Sequence, residues 1–320
     1  MRPEVVCIGE VLVDLLSTKH GKLSDSPGFT KCAGGAAANV AVGLAKLGVR
    51  SAFSGRIGDD PFGVFLHREL ARHGVDTSGI VYDSRRRTRL AFVSLTKSGE
   101  RDFEFWERHP ADEQLQRSDI NVKKVSMAKI IHIGSFLLLD EPSRSTALWI
   151  AEVLHRRGCV ISFDPNVRLS LWQSRPDARK IHLSLVKHAT IVRLNAEEAY
   201  FLTGKRRLDS AVRQLRSLGP SVVVVTLGEN GCYASSRQGA TFVREFPVKV
   251  IDTTGCGDGF LAGFLAGMVK NSSTPDDISL EKLYSLCRYA NAAGALTATR
   301  RGAAAAMPTA SQVQKFLSSR

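Results

Sequence analysis

Short runs of β-branched and aliphatic residues, none longer than a strand, recur along this chain between stretches with helical periodicity. Val5–Ile8, Lys129–Gly134, Cys159–Asp164, Ala189–Leu194 and Ser221–Leu227 read as buried strands. Ser143–Arg157, Pro176–Lys187 and Asp209–Leu218 read as amphipathic helices between them. A strand that is apolar on both sides has to be covered on both faces, and helical crossovers supply that cover. The alternation predicts an α/β fold, doubly wound, with a mostly parallel sheet and helices on both faces. From Gly255 onward the pattern is mainly helical, through Gly257–Lys270 and Ser279–Thr299. No repeat or interdomain linker interrupts it, so residues 1–320 are expected to form one domain.

Residues Arg89–Trp106 follow another rule. They alternate apolar and polar side chains about a Lys-Ser-Gly-Glu turn, as a half-exposed hairpin does. Together with residues 15–33 they are expected to form a small β lid, its segments spanning about 15–33 and 87–110.

Composition narrows the function classes. Of the 320 residues 43% are hydrophobic, enough for a sizeable core, yet runs such as Phe260–Val269 are too short to cross a bilayer. The opening "MRPEVVCIGEVLVDLL" carries Glu10 and Asp14 within its apolar stretch and has no signal-cleavage pattern, so a soluble cytoplasmic protein without a membrane partner is expected. Six cysteines are scattered with no CxxC pair, and the eight histidines form no HExxH, which predicts reduced thiols rather than zinc or a disulfide framework. The net charge of +13 lies in short clusters such as Arg85–Arg87 and Lys205–Arg207. No nucleic-acid-binding signature accompanies them, so no nucleic acid partner is expected; the charge favours anionic substrates.

The chemistry concentrates in glycine-containing stretches at strand ends. "DTTGCGDGF" (252–260) places Gly255 and Gly257 at the mouth of a helix whose first turn carries Asp258. Exposed first-turn N–H groups with glycines beside them suit an anion. Two other phosphate signatures, GxxxxGK[ST] and GxGxxG after the first strand, are missing. "AGGAAANVAVGLAKLG" (33–48) sets Gly34 and Gly35 before a helix with Asn39 near its start; helix packing explains its alanines better than it explains those three. Asp14 sits among apolar residues, a costly place for a carboxylate without partners. "VRLNAEEAYFLTG" offers Asn195 and Glu198 at a helix start, as a cap or as ligands. "VVVVTLGENGCYA" ends a strand at Thr226, Gly228 and Gly231, either as a tight turn or as a nucleotide border. "DPNVR" (164–168) is turn chemistry or a polar clamp, and "GRIGDDPFG" (55–63) reads as a structural turn.

In this order the pieces resemble the ribokinase-like PfkB family of carbohydrate kinases over nearly the whole chain. The resemblance rests on Gly34-Gly35…Asn39, Asn195-x-x-Glu198, "VTLGENG" and the D-T-x-G-x-G-D motif from Asp252 to Asp258. "SGERDFEFWERHPADEQL", "IIHIGSFLLL" and "SFDPNVRLSLW" are most similar to fructokinases. The resemblance implies an ATP-dependent kinase acting on the primary hydroxyl of a small sugar, best matched by fructose. Asp258 would be the catalytic base, and the N–H groups of Gly255, Cys256 and Gly257 the anion hole. Asp14, Gly34, Gly35 and Asn39 would hold the sugar, with Phe92 and Phe105 covering it and Arg168 at the sugar or phosphate end. Asn195 and Glu198 would order ATP and Mg2+, with Thr226, Gly228, Gly231 and Asn291 bordering the nucleotide. Asp252 and Thr254, with carbonyls near Thr297, Arg300 and Gly302, would form a potassium loop. A homodimer through the lid is also implied.

The chain departs from the family pattern at Cys256 and Gly259, where alanine is usual, at Ala306, and in "FWERHPAD". Cys256 is expected to make the site sensitive to thiol reagents. Alternative readings are a 2-keto-3-deoxygluconate kinase, a ribokinase or another ketose or deoxy-ketoacid kinase. A catalytically inactive member serving as a binding or regulatory protein is the alternative from another class.

Overall fold

The valines at 222–225 show how the main sheet is built. Val222 and Val224 join the apolar cluster on one face, Val223 and Val225 the cluster on the other, and all four are fully buried. Such a run is stable only where helices cover both faces of a sheet. The computed structural model describes residues 2–95, 101–106 and 108–320.

Thirteen strands form among the described residues. They are β1 (Val5–Ile8), β2 (Leu12–Ser17), β3 (Phe29–Gly34), β4 (Ser51–Gly58), β5 (Asp76–Asp83), β6 (Leu90–Leu95), β7 (Arg101–Phe105), β8 (Ile130–Ile133), β9 (Val160–Phe163), β10 (Ile191–Asn195), β11 (Val222–Thr226), β12 (Cys232–Ser236) and β13 (Gly239–Val243). The nine-stranded sheet runs β13-β12-β11-β10-β9-β8-β1-β4-β5. It is parallel from β11 to β5, while β12 and β13 fold back antiparallel at one edge. This is the doubly wound arrangement that the alternating pattern predicts, and the five expected strands lie within a residue or two of their predicted bounds.

One face is covered by the helices Ala36–Lys46, Cys256–Lys270 and Leu280–Ala298, the other chiefly by Ser143–Arg156, Arg175–Val186, Ala196–Thr203 and Leu208–Ser217. Residues Gly259 to Val269 of the helix Cys256–Lys270 are buried all round, so it lies inside the domain rather than on its surface. The turn at 55–63 is structural: Asp60 accepts from the N–H groups of Phe62 and Gly63 (3.0 and 2.8 Å) and so caps the helix Pro61–Arg72.

A second sheet has the order β3-β2-β6-β7. Strands β6 and β7 pair as the expected hairpin, with Ala91 opposite Phe105; the Lys-Ser-Gly-Glu turn falls outside the described residues. Arg89, only 3% exposed, anchors the start of β6. Its guanidinium donates to Asp112 at 3.0 Å and to Glu113 at 2.6 Å, which satisfies an otherwise costly buried charge.

Because they run parallel, β1, β8, β9, β10 and β11 present their carboxyl ends at one edge. Glu10, Asp164, Asn195 and Thr226 stand at or just beyond those ends. The amino ends of helices Ala36–Lys46 and Cys256–Lys270 reach the same edge.

Candidate active site

Two cavities, each of about 830 Å³, open at that edge and share Arg193, Thr253 and Gly257. The first lies under the second sheet, the second between the β11 turn and residues 245–250. The start of helix Cys256–Lys270 forms the wall between them.

Asp258 projects from its first turn into the first cavity and accepts a hydrogen bond from Asn39 Nδ2 at 2.8 Å. Burial pushes its carboxyl up to about 6, opposed by the Asn39 bond, assisted by the negative charge of Asp164, and opposed again by Arg193 and Arg168. An acid at that value is mostly ionised at neutrality yet more basic than an ordinary carboxylate, which suits a general base. Asn39 keeps its Oδ1 buried with no partner among the described residues, which leaves an acceptor for a hydroxyl donor.

Gly35 begins helix Ala36–Lys46 at φ 98°, and a Cβ there would meet the Glu10 carbonyl oxygen at 2.7 Å. Gly34 lies against the Asp14 carboxyl, where a Cβ would come within 2.2 Å of Oδ2. Asp14 itself lines the cavity and is 8% exposed. Glu10 Oε1 accepts from the N–H groups of Ala36 and Ala37 (2.7 and 3.3 Å), fixing the helix that carries Asn39.

Gly255 holds the turn into the second helix at φ 72°; Gly257 is required by a neighbour. A Cβ at Gly257 would meet Arg193 Nη1 at 2.6 Å. The Cys256 N–H is partly engaged by the Thr253 carbonyl at 3.3 Å, and its thiol donates to the Asp252 carbonyl at 3.9 Å. Gly259 also has a structural cause, since a Cβ there would lie 2.5 Å from Thr297 Oγ1.

Asn195 and Glu198 cap helix Ala196–Thr203 reciprocally. Asn195 Oδ1 accepts from Glu198 N at 2.9 Å, and Glu198 Oε2 accepts from Asn195 N at 2.8 Å. Glu198 Oε1 accepts from Val167 N at 2.8 Å. Burial and the nearby Asp164 push the Glu198 carboxyl upward. The cap reading and the cavity-lining reading of this pair are therefore compatible.

Thr226, Gly228, Gly231 and Cys256 line the second cavity, as the sequence suggests for the first three. Phe105 and Arg168 line the first. Asp252, 6% exposed, joins two loops: Oδ1 accepts from Thr254 N and Oγ1 (2.9 and 2.7 Å), and Oδ2 from Gly302 N at 2.9 Å. Thr297 is buried with its hydroxyl on the Ala293 carbonyl, and Arg300 is exposed at the rim of that loop.

Two residues sit elsewhere than expected. Phe92 does not face the first cavity: strand alternation turns Ala91 inward, while Phe92 packs outside between Phe29 and Trp106, at 5.1 Å from each. Asn291, expected to border the nucleotide, does not line the second cavity. It is fully buried behind the wall, where Nδ2 donates to the carbonyls of Val243 and Arg244 (3.2 and 2.9 Å).

Arg193 is the functional residue that the sequence reading missed. Nη1 donates to Asp164 at 2.8 Å and Nη2 to Thr226 Oγ1 at 2.7 Å, so a cation stands where the two cavities meet. The available signal was an arginine inside the apolar run "IVRLN", a position that demands a partner.

A model described as pfkB family carbohydrate kinase matches residues 2–310. Probable fructokinase-4 of Arabidopsis thaliana is 41% identical over 317 residues, which cover 98% of this chain and 96% of that protein. Among solved structures, a fructokinase of Xylella fastidiosa with bound ATP aligns at a TM-score of 0.90 and 32% identity, over 98% of each chain. A double-mutant fructokinase of Vibrio cholerae O395, in a form with fructose, ADP and a potassium ion bound, aligns at 0.88 and 33% identity over 99% of each chain.

The raised Asp258 value carries a stability consequence of known sign. Its ordinary value is 3.8 and its value here about 6, so between those points folding takes up a proton and the ionised site is destabilising above pH 6. Asp258→Asn is expected to unfold at a higher temperature than the parent at pH 8, with the gap closing as pH falls toward 4. Thermal melts across that range check this; equal midpoints at pH 8 would show that the site tolerates the charge without strain.

Proposed function

This chain belongs to the pfkB family of carbohydrate kinases, and from that premise we propose that it phosphorylates the primary hydroxyl of fructose with ATP, giving fructose 6-phosphate and ADP. The observation that carries the reading is the placement of Asp258 at the wall between two cavities, beside first-turn N–H groups and Arg193. The sugar would occupy the first cavity, against Asp14 and Asn39 and under the second sheet acting as a lid. ATP would occupy the second, its phosphates at the helix mouth.

In the reaction Asp258 takes the proton from the attacking hydroxyl. The new O–P bond forms as the bond from the γ-phosphorus to the β-phosphate oxygen breaks, and ADP leaves with that electron pair. Negative charge on the transferring group lies against the helix N-terminus and Arg193, which stabilise it without moving. Phe105, packed on Phe136 at 5.7 Å, closes the sugar side and keeps water from competing as the acceptor.

The residues fit two metal ions. Glu198, with both oxygens already accepting backbone N–H bonds and repelled by Asp164, suits Mg2+ held through water, and Asn195 stands beside it. When bound, the ion would neutralise phosphate charge. Asp252, Thr254 and the backbone around Thr297, Arg300 and Gly302 form an oxygen-lined loop that suits potassium, which would stiffen the anion-binding turn.

Arg168 and Arg175 on the first cavity support a second reading, an acidic acceptor such as 2-keto-3-deoxygluconate. The six free cysteines suit a reducing compartment, and we place the protein in the cytoplasm. No described helix is long and apolar enough to cross a membrane. The outer face of the lid exposes Phe29 (37%) and Trp106 (68%) beside Phe92, an apolar stripe that supports a homodimer through the lid.

A coupled ADP-release assay over a panel of ketoses, ribose and 2-keto-3-deoxygluconate is expected to show fructose as the preferred acceptor, with Asp258→Asn lowering turnover by several orders of magnitude and ATP affinity little changed. Preference for the acid would favour the second reading, and no stimulation by any sugar would sink both. Replacing potassium by sodium in the buffer should lower the rate, whereas equal rates would remove that ion from the mechanism. Trp106→Glu should shift the mass seen by light scattering from dimer to monomer; a parent that is already monomeric would overturn the lid interface.

A further inference from the structure

The nucleotide cavity has walls of two kinds. Arg193 and the backbone N–H groups of the helix mouth suit phosphates. Phe246, Pro247, Val248 and Val250 supply apolar lining, and the acidic side chains of the cavity are Glu229 and Glu245. Glu229 is exposed to solvent; Glu245 is half-buried. Its Oε1 accepts from Phe246 N at 3.0 Å, and among the described residues no other group donates to the carboxyl.

The backbone that presents Glu245 is clamped. Asn291, fully buried, donates to the carbonyls of Val243 and Arg244 at 3.2 and 2.9 Å. Gly231 abuts the same segment, where a Cβ would come within 2.1 Å of the Val243 carbonyl oxygen and 2.7 Å of Glu245 N. Glu245 is thus a half-buried acid on a fixed backbone, lining this cavity and the smaller one beside Arg288, with one oxygen left for a donor from outside the protein. Burial pushes Glu245 up to about 7, the cost of that missing partner.

Resting on the kinase reading above, which places ATP in this cavity, we propose that Glu245 determines nucleotide specificity by accepting a hydrogen bond from a donor on the nucleoside. The donor is either the exocyclic amine of the base or a ribose hydroxyl, the two donor groups at the end of ATP remote from the phosphates. A nucleotide that presents an acceptor at the same point leaves two acceptors facing each other in a half-dry site. Sites built around such a hydrogen bond reject the analogue that lacks it.

The test is isothermal titration at pH 8, where the carboxyl is ionised and can only accept, with ATP, ITP and 2′-deoxy-ATP against the parent and Glu245→Ala. In the parent, ATP should bind about tenfold more tightly than the analogue missing the donor. ITP as the weak ligand assigns the amine, and 2′-deoxy-ATP assigns the ribose. In Glu245→Ala, ATP should weaken by about tenfold and its preference over that analogue should shrink to within about twofold. Unchanged ATP affinity and unchanged ratios in the variant would overturn the proposal. Sugar-dependent turnover is read separately. Altered ratios in a protein that no sugar stimulates would sink the fructokinase reading and leave the assignment of Glu245 standing.

Discussion

Two helices begin at the same edge of the sheet, and the hydrogen bond from Asn39 to Asp258 is where they meet. Neither end could approach so closely with ordinary side chains. The first helix starts on Gly35 at positive φ, held by the Glu10 carboxylate; the second starts on Gly255 and presses Gly257 against Arg193. Because both helices bury their other faces in one core, the bond is set by packing that lies far from the cavities. Asp258, the first cavity and the part of the second cavity at the helix mouth all take their positions from that junction.

Acidic side chains outnumber the cation at the centre of this junction, and the excess is local. Asp164, Glu198 and Asp258 are drawn together by the carboxyl ends of neighbouring strands and the facing helix. Arg193 is the cation between them, and it is spent in part on Asp164 and Thr226. Burial holds Glu198 and Asp258 higher than ordinary carboxylates, Asp258 at about 6. The same burial that costs stability raises Asp258 into the range that the proposed proton transfer requires.

Much of the fold was legible because its strands are short, apolar and flanked by periodic helices. The glycine motifs were legible too, since Gly34, Gly35, Gly255 and Gly257 have no better use than close approach. Phe92 was misjudged because a hairpin of alternating pattern has two faces, and its own residues do not say which face meets the sheet. Asn291 was placed one layer too near the nucleotide because its helical position alone cannot tell a wall from the support behind it. Arg193 passed unnoticed although an arginine in a buried strand was a visible anomaly. Its partners, Asp164 and Thr226, are remote in sequence and adjacent only across the parallel sheet.

The sequence by itself determined the doubly wound architecture, the glycine-bordered helix mouth, and the carboxylate in its first turn. Those depend on periodicity and on residue types whose local chemistry leaves few options. Only the tertiary structure decided which lid face looks inward, which cation stands between the cavities, and that Glu245 lines the second cavity. These are relations between segments brought together by a common core, and side-chain direction there is set by what packs behind each strand rather than by its neighbours along the chain.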